Sequence, residues 1–387
     1  MPELTSITEL AALVAEARGL SDYCIELLAG LTALESPSAD AERLAAVAER
    51  LSGELERRGA LVERHPAPGY GEQLLARVPG AASGGRPLLV VGHMDTVHAA
   101  GTLARLPFAV GREVVRGPGV YDMKAGLAVA ITSLDLLSRV GRRPAGDLLF
   151  VITCDEEIGS PASRSVLQDR ARDARGALVL EPCVPGGAAK TRRKGVGGFE
   201  LRVRGRAAHA GIDPEAGASA IHELVGLLRE AGRLADPERG TTVNVGVIRG
   251  GTRPNVVAEH AHAEIDFRFW SSAEARRVEE GVRALTVSDP GCTLSVAVGV
   301  DRGPLEQTEA SARLFGSARE IAAAQGWELA EGSTGGASDG NLTSAVGCPT
   351  LDGLGPDGGG AHSLEEHVRR PDIAPRIALL AGLFMRL

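Results

Sequence analysis

Three short apolar runs, each followed closely by histidine or carboxylate side chains, constrain the fold of this chain more than any other feature. The runs are residues 88–91, 147–153 and 177–180, and the side chains that follow them are His93, Asp155, Glu156, Glu157 and Glu181. Apolar runs of this length are typical of buried strands. Parallel strands of an α/β sheet present ligand-binding groups just past their carboxyl ends. We therefore expect these side chains to meet in one crevice.

A crevice that collects several carboxylates is costly unless positive charge lies among them. A divalent metal is the simplest source of that charge, and mixed histidine and carboxylate ligands fit zinc. Each residue also has a simpler role of its own. His93 could be a hydrogen-bonded histidine at a strand end, Asp122 could cap the helix that follows it, and Glu156 and Glu157 could be solvated. The prediction of a metal site rests on the expected convergence of all these residues at one edge of the sheet.

The order of the predicted elements indicates two domains. Strands and helices alternate through residues 1–193 and again after residue 304, which predicts an α/β domain with a mostly parallel central sheet. Residues 194–303 have the order β-α-β-β-α-β of a ferredoxin-like α+β unit. Their alternation with a period of two favours an antiparallel sheet with one open face. We predict that residues 194–303 are inserted between two parts of the first domain, 1–193 and 304–387.

Composition excludes several classes of function. The net charge of −8 argues against nucleic acid as the main partner, and an aromatic content of 3% leaves few platforms for base stacking. The five cysteines include no CxxC pair, which indicates reduced thiols in a cytoplasmic protein. Residues 1–4 lack the pattern of a targeting peptide, and no apolar run approaches the length of a membrane span. No strand is followed by a GxGxxG or Walker-type loop, which disfavours nucleotide binding.

Six segments resemble motifs of the dinuclear zinc exopeptidases and deacylases, which include glutamate carboxypeptidase, aminoacylase and succinyl-diaminopimelate desuccinylase. In chain order they are GHMDTV (92–97), GPGVYDMKAG (117–126), DEEIGS (155–160), EP (181–182), GGASDGN (335–341) and GAHS (360–363). They span nearly the whole chain and are closest to the glutamate carboxypeptidase branch. The resemblance implies a zinc-exopeptidase-type catalytic domain with an inserted dimerisation or lid domain.

The resemblance also implies a set of metal ligands. They are His93, Asp122, Glu157, Glu181 and His362. Asp122 would bridge two zinc ions per subunit, and each ion would also bind one histidine and one glutamate; Co²⁺ or Mn²⁺ could replace zinc. A bridging carboxylate can span the roughly 3.5–4 Å between the ions of a two-metal hydrolytic site. The family further implies a cis peptide bond at Asp122-Met123.

Two more residues of the resemblance carry the expected chemistry. Asp95 would accept a hydrogen bond from His93 and so fix its tautomer. Glu156 would be the general base for a hydroxide that bridges the metals and attacks an amide carbonyl, and it would then pass the proton to the leaving nitrogen.

The inserted domain is expected to contact the substrate. His209, in the segment RAAHAG, resembles a histidine that stabilises the oxyanion in the partner subunit's active site, which implies a homodimer. Arg268 matches the position that binds the substrate's α-carboxylate, and Asn255, Gly336 and Arg302 would join it. The alternatives are a surface-loop histidine and an exposed strand arginine.

The expected function is that of a zinc-dependent carboxypeptidase that releases a C-terminal amino acid, glutamate in the first instance, from an N-acyl or peptide-like substrate. A deacylase, desuccinylase or dipeptidase of the same family is the alternative enzyme, and a catalytically silent binding protein is the alternative from another class. His98 lies where relatives have apolar or aromatic residues; it either alters access to the metals or has no role. Ser363 and Glu366 have the spacing of a helix capping box.

Overall fold

The computed structural model describes residues 7–82 and 84–387, so that residues 1–4 and the prediction about a targeting peptide lie outside it. The helices are α1 (Ile7–Arg18), α2 (Ser21–Thr32), α3 (Ala41–Glu56), α4 (Ala125–Arg139), α5 (Arg164–Arg172), α6 (Ala220–Gly232), α7 (Ser272–Arg283), α8 (Glu309–Ala324), α9 (Asp339–Ala345) and α10 (Ile373–Arg386). Within the described ranges, every helix is too short or too polar to cross a membrane.

The strands are short, and several form small sheets. They are β1 (Leu61–Ala67), β2 (Gly71–Val78), β3 (Leu88–His93), β4 (Ala109–Val110), β5 (Val114–Arg116), β6 (Leu148–Thr153), β7 (Gly176–Val179), β8 (Ala189–Arg193), β9 (Gly195–Arg204), β10 (Thr242–Gly250), β11 (His260–Phe269), β12 (Thr293–Arg302), β13 (Glu331–Thr334), β14 (Thr350–Leu351), β15 (Gly358–Gly359) and β16 (His367–Arg369). The three apolar runs of the sequence form β3, β6 and β7, as predicted.

Contacts between residues divide the chain into two compact units. The large unit contains the described residues up to Arg192 together with Gln307–Thr334 and Ser338–Leu387. The small unit contains Arg193–Glu306 and Gly335–Ala337.

The large unit is built on a six-stranded sheet with the order β1-β2-β6-β3-β7-β14. The sheet is mixed rather than mostly parallel: β6, β3, β7 and β14 run parallel, whereas β1 and β2 form an antiparallel hairpin on one edge. The connection between β1 and β2 is too short for the crossover that a parallel pair needs, which accounts for the difference from the prediction.

Helices cover both faces of this sheet. Alternate residues of β3 therefore enter different cores: Leu88 and Val90 pack with α1–α4, α8 and α10, and Leu89 and Val91 pack with α5 and α9. All six residues of β3 are buried. A strand buried on both faces has a continuous apolar sequence. For this reason β3 shows no alternation of apolar and polar residues.

The small unit is an antiparallel sheet with the order β10-β11-β9-β12. Helices α6 and α7 cover one face, where Leu224 and Val278 pack against Phe199 and Phe267. Residues of β9 alternate between buried and more exposed positions along most of its length. The second face of the sheet is therefore open, and β10 and β12 are its edges.

The first turn of α4 makes a close contact that fixes the helix against the sheet. A Cβ atom added to Gly126 would lie 2.1 Å from the carbonyl oxygen of Leu180, just past β7. We expect Gly126→Ala to lower the free energy of unfolding by about 1–3 kcal/mol or more, because the helix must move away from the strand end. Urea denaturation measures the change.

Gly316, inside α8, provides the matched control. A Cβ atom added there would meet nothing within 4 Å. Gly316→Ala should stabilise the protein by about 0.5–1 kcal/mol, since glycine is the less favourable residue in a helix. Equal effects of the two substitutions would show that the α4 contact is not tight.

Candidate active site

The carboxyl ends of three neighbouring parallel strands bring polar side chains together, as the sequence predicts. His93 is the last residue of β3, the turn with Glu156 and Glu157 follows β6, and Glu181 follows β7. Because β3 lies between β6 and β7 and runs parallel to both, these groups lie on one edge of the sheet.

Asp122 lies between two histidines. Its Oδ1 is 3.3 Å from Nε2 of His93, and its Oδ2 is 3.2 Å from Nε2 of His362. The residue belongs to the irregular turn Val120–Lys124 that precedes α4, and its φ and ψ angles are not helical. The peptide bond Asp122-Met123 is cis, which confirms the prediction.

Each histidine also has its own glutamate. Nε2 of His93 is 3.5 Å from Oε1 of Glu181, and Nε2 of His362 is 3.2 Å from Oε2 of Glu157. Asp122 is therefore shared by two clusters, each with one histidine and one glutamate. Such a set suits the borderline ligand preference of zinc.

Glu156 lies close to the same groups. Ligand atoms of His93, Glu156 and Glu181 lie within 4.8 Å of one another, and the same limit holds for His93, Asp122 and Glu157. Each of these triads could hold a metal ion. The alternative roles, in which these residues are merely solvated carboxylates or a helix cap, do not account for this convergence.

The electrostatics of the cluster favour positive charge inside it. The hydrogen bond with Asp122 raises the pKa of His362 to about 9. Burial alone would lower the pKa of His93, but hydrogen bonds with Asp122, Asp95 and Glu181 raise it well above its usual value. Burial raises the pKa of Glu157 to about 8. A divalent cation would supply the same compensation.

Glu157 gives a direct test of whether the residues fit a metal. Its Oε1 is buried and has no hydrogen-bond partner among the described residues. A buried carboxylate oxygen without a partner is costly, and a bound cation removes that cost. The donor set and this oxygen both fit a metal centre.

Asp95 connects His93 to the Glu156–Glu157 turn. Nδ1 of His93 lies 3.0 Å from the main-chain oxygen of Asp95 and 3.4 Å from its carboxylate, so the main chain is the nearer acceptor. The carboxylate also accepts the backbone N–H groups of Glu156 and Glu157, each at 3.2 Å. Ser38, in the segment before α3, donates its hydroxyl to the same carboxylate at 2.7 Å.

Glu366 has a different role from the one predicted. It does not form a capping box with Ser363; it precedes β16, and its buried carboxylate accepts the N–H groups of Gly119, Tyr121 and Asp122, each at 2.9 Å. The capping-box pattern is a local one, whereas these bonds join residues 244 or more positions apart. The sequence carries no local signal for them.

Asp339 also has a role for which the sequence gave no indication. Its carboxylate accepts the hydroxyl of Thr153 at 2.7 Å and that of Ser160 at 2.5 Å. Thr153 ends β6, and Ser160 follows the turn with Glu156 and Glu157. One carboxylate therefore holds both ends of the segment that carries these two glutamates.

A model of peptidase family M20/M25/M40 matches residues 89–386 of the chain. Carboxypeptidase G2 of Pseudomonas sp. (strain RS-16) is 31% identical over 372 residues, which cover 94% of this chain and 89% of that protein. The chain belongs to peptidase family M20/M25/M40. It is therefore an enzyme of the metallo-amidohydrolase class.

Other proteins that resemble this M20/M25/M40 chain differ in their chemistry. Succinyl-diaminopimelate desuccinylase of Cupriavidus taiwanensis is 28% identical over 330 residues, which cover 78% of this chain and 82% of that protein. The crystal structure of aminopeptidase PepT from Bacillus cereus superimposes with a TM-score of 0.79 at 21% identity, covering 94% of this chain and 98% of that one. At that identity the likeness concerns the fold alone.

The small unit of this M20/M25/M40 enzyme places its predicted substrate residues in two groups. Arg268 on β11 and Arg302 on β12 both pair with Val196 near the start of β9. The carbonyl oxygen of Gly336 accepts a hydrogen bond from Arg193, just before the same strand. These three predicted residues therefore lie at one end of the small sheet.

His209 and Asn255 lie at the other end of that sheet. Both residues are exposed, and their loops are joined by the hydrogen bond from the N–H of Ala210 to the carbonyl of Asn255. The intervening strand β9 has ten residues, which span about 30 Å at about 3.3 Å per residue. Within one chain, the two groups of predicted residues are therefore far apart.

Proposed function

We propose that the chain is a zinc-dependent carboxypeptidase that hydrolyses an amide bond and releases a C-terminal amino acid, glutamate in the first instance, from an N-acyl or peptide-like substrate. The observation that carries the proposal is the position of Asp122 between His93 and His362, each with its own glutamate. The likeness to carboxypeptidase G2 over nearly the whole chain supports this reading.

Two zinc ions would be held by the clusters that share Asp122, with Co²⁺ or Mn²⁺ as other occupants. His93 and Glu181 would bind one ion, and Glu157 and His362 the other. Bound zinc makes a water acidic and polarises an amide carbonyl. Nδ1 of His93 is held by Asp95, so that its Nε2 is directed to the metal.

Glu156 would be the general base. It lies beside the ligand Glu157 and within 4.8 Å of His93 and Glu181, and its backbone is held by Asp95. Its carboxylate would accept a proton from the attacking water and donate it to the leaving nitrogen. Proton transfer by a positioned side chain contributes about 10²–10⁴-fold to a rate.

Arg268 would bind the α-carboxylate of the substrate. Asp266 accepts the Nε–H of Arg268 with its two oxygens at 2.9 and 3.1 Å. The guanidinium is thus fixed through Nε, while its planar Nη groups suit bidentate recognition of a carboxylate. Gly336 and Arg302, at the same end of the small sheet, would complete its contacts, whereas Asn255 lies beside the His209 loop and would contribute from the partner chain.

We propose that residues 194–303 form an inserted ferredoxin-like domain through which two chains associate. His209 and Arg268 lie at opposite ends of the small sheet, so both can contact one substrate only if they come from different chains. An apolar patch supports the association: Ile221 and Val225 on α6 and Ile248 on the edge strand β10 are exposed. Exposed apolar patches and free strand edges are typical of association surfaces.

A desuccinylase or another deacylase is the second candidate, because succinyl-diaminopimelate desuccinylases match most of the chain. The metal cluster suits both reactions. A catalytically silent protein is less consistent with Glu156 beside a complete ligand set.

The cytoplasm is the proposed location, because all five cysteines are free and buried.

Glu156→Ala separates metal binding from turnover. We expect zinc content to remain at the wild-type level, while kcat falls by about 10²–10⁴-fold because the proton acceptor is lost. Metal analysis and kinetics on the same preparation measure both quantities. Glu157→Ala is the control and should lose zinc as well as turnover. Near-normal activity of Glu156→Ala would refute the assignment.

A panel of N-acyl-glutamates, dipeptides and N-succinyl amino acids tests the substrate class. On the best N-acyl-glutamate, Arg268→Ala should raise KM about 10- to 100-fold, because a hydrogen bond to a charged group contributes about 1.5–3 kcal/mol. Arg276→Ala, an exposed arginine on α7, should leave KM unchanged. A preference for N-succinyl amino acids would favour the desuccinylase, and an unchanged KM in Arg268→Ala would refute the role of Arg268.

Mixed dimers test the role of His209. Homodimers of Glu156→Ala and of His209→Ala should both be impaired. A dimer with one chain of each kind, purified through two different tags, should regain about half the wild-type activity, because one of its two symmetric sites is complete. A doubly tagged Glu156→Ala dimer is the control. A mixed dimer no more active than its parents would contradict the contribution of His209 to the partner's site.

A further inference from the structure

His98 lies five residues after His93 and is nearly buried, with 10% of its side chain exposed. Its Nε2 is 2.6 Å from Oε2 of Glu366, whose carboxylate is also buried. The contact joins the segment after β3 to the segment before β16. It involves neither of the two metal histidines.

Glu366 is the acceptor on which the turn before α4 depends. Its Oε1 accepts the N–H groups of Tyr121 and Asp122, and its Oε2 accepts the N–H of Gly119 and the Nε2–H of His98. A carboxylate offers about four lone-pair sites, so these four donors fill it. His98 supplies the only side-chain donor to this carboxylate among the described residues.

The backbone of the turn explains why it needs an external acceptor. Gly119 has a φ of 71°, and Asp122 has φ −114° and ψ 93°, so this segment cannot satisfy its N–H groups by regular helical bonds. Buried backbone N–H groups are nearly always paired. The Glu366 carboxylate provides that pairing, and His98 donates to the same carboxylate.

We propose that His98 is a positioning residue of the metal centre, which acts through Glu366 to hold the turn that presents Asp122 to both metal sites. This inference rests on the metal role proposed for Asp122. His98 itself contacts neither metal nor substrate. Its effect should therefore appear in metal affinity and kcat, and KM should change little.

Zinc affinity measured by competition with a chelator provides a readout that does not depend on activity. We expect His98→Leu to weaken zinc binding about 10- to 100-fold, the usual effect of losing a residue that orients a metal ligand. His98→Gln should recover most of the affinity, because its amide nitrogen can still donate to Oε2. His65→Leu, on exposed β1, is the control and should bind zinc like the wild type.

The double variant of His98 and Glu366 tests whether His98 affects zinc affinity through Glu366. Glu366→Gln should also weaken zinc binding, because an amide nitrogen would face backbone N–H groups. The double variant His98→Leu/Glu366→Gln should lose no more affinity than Glu366→Gln alone, since contacting residues in one network are not additive. Additive losses, wild-type affinity in His98→Leu, or a glutamine variant no better than leucine would each overturn the proposal.

Amide hydrogen exchange tests the positioning role of His98 independently of the proposed function, because it does not require bound zinc. If the wild-type protein binds no zinc, the proposed function fails, yet the contact can still be tested. Amide exchange at Tyr121 and Asp122 should be faster in His98→Leu than in the wild type and close to wild type in His98→Gln. Unchanged exchange in His98→Leu would overturn the positioning role whatever the metal content.

Discussion

Repulsion among carboxylates at one edge of the large sheet is the constraint on which the rest of the site depends. Asp122, Glu157 and Glu181 converge on two imidazoles, and the surroundings raise the pKa of both histidines. The arrangement is also asymmetric. The side chain of His93 is 2% exposed, whereas that of His362 is 52% exposed. The cluster is therefore open to solvent on the His362 side, while His93 anchors it to the sheet.

A second group of buried carboxylates holds the backbone that carries the predicted metal ligands. Asp95 accepts N–H groups of the Glu156–Glu157 turn, Asp339 binds both ends of that segment, and Glu366 accepts N–H groups of the turn at Asp122. These segments are irregular, so secondary structure cannot satisfy their polar groups. Fixed acceptors in the interior do so instead. The acidic residues thus fall into two groups: one set lines the candidate metal site, and the other holds the loops.

The sequence predicts the parts of this arrangement that depend on local patterns. Apolar runs locate β3, β6 and β7, and the residues just after them locate the edge of the site. Contacts between distant residues leave no such pattern. Glu366 meets Asp122 across 244 positions, and a local spacing suggested a capping box there instead. The alternation of strands and helices predicted a mostly parallel sheet and therefore did not indicate the antiparallel hairpin of β1 and β2.

In the proposed function, the register of the small sheet links substrate binding to the association of two chains. The candidate metal cluster lies wholly in the large unit and suits amide hydrolysis in general. In the proposed function, substrate selectivity therefore comes from residues that contact the rest of the substrate. The predicted ones stand at the two ends of β9, about 30 Å apart at about 3.3 Å per residue. A small substrate cannot span that distance. If both ends contribute to one reaction, each active site combines two chains, and changes at the edge strand β10 would alter catalysis without touching the metal cluster.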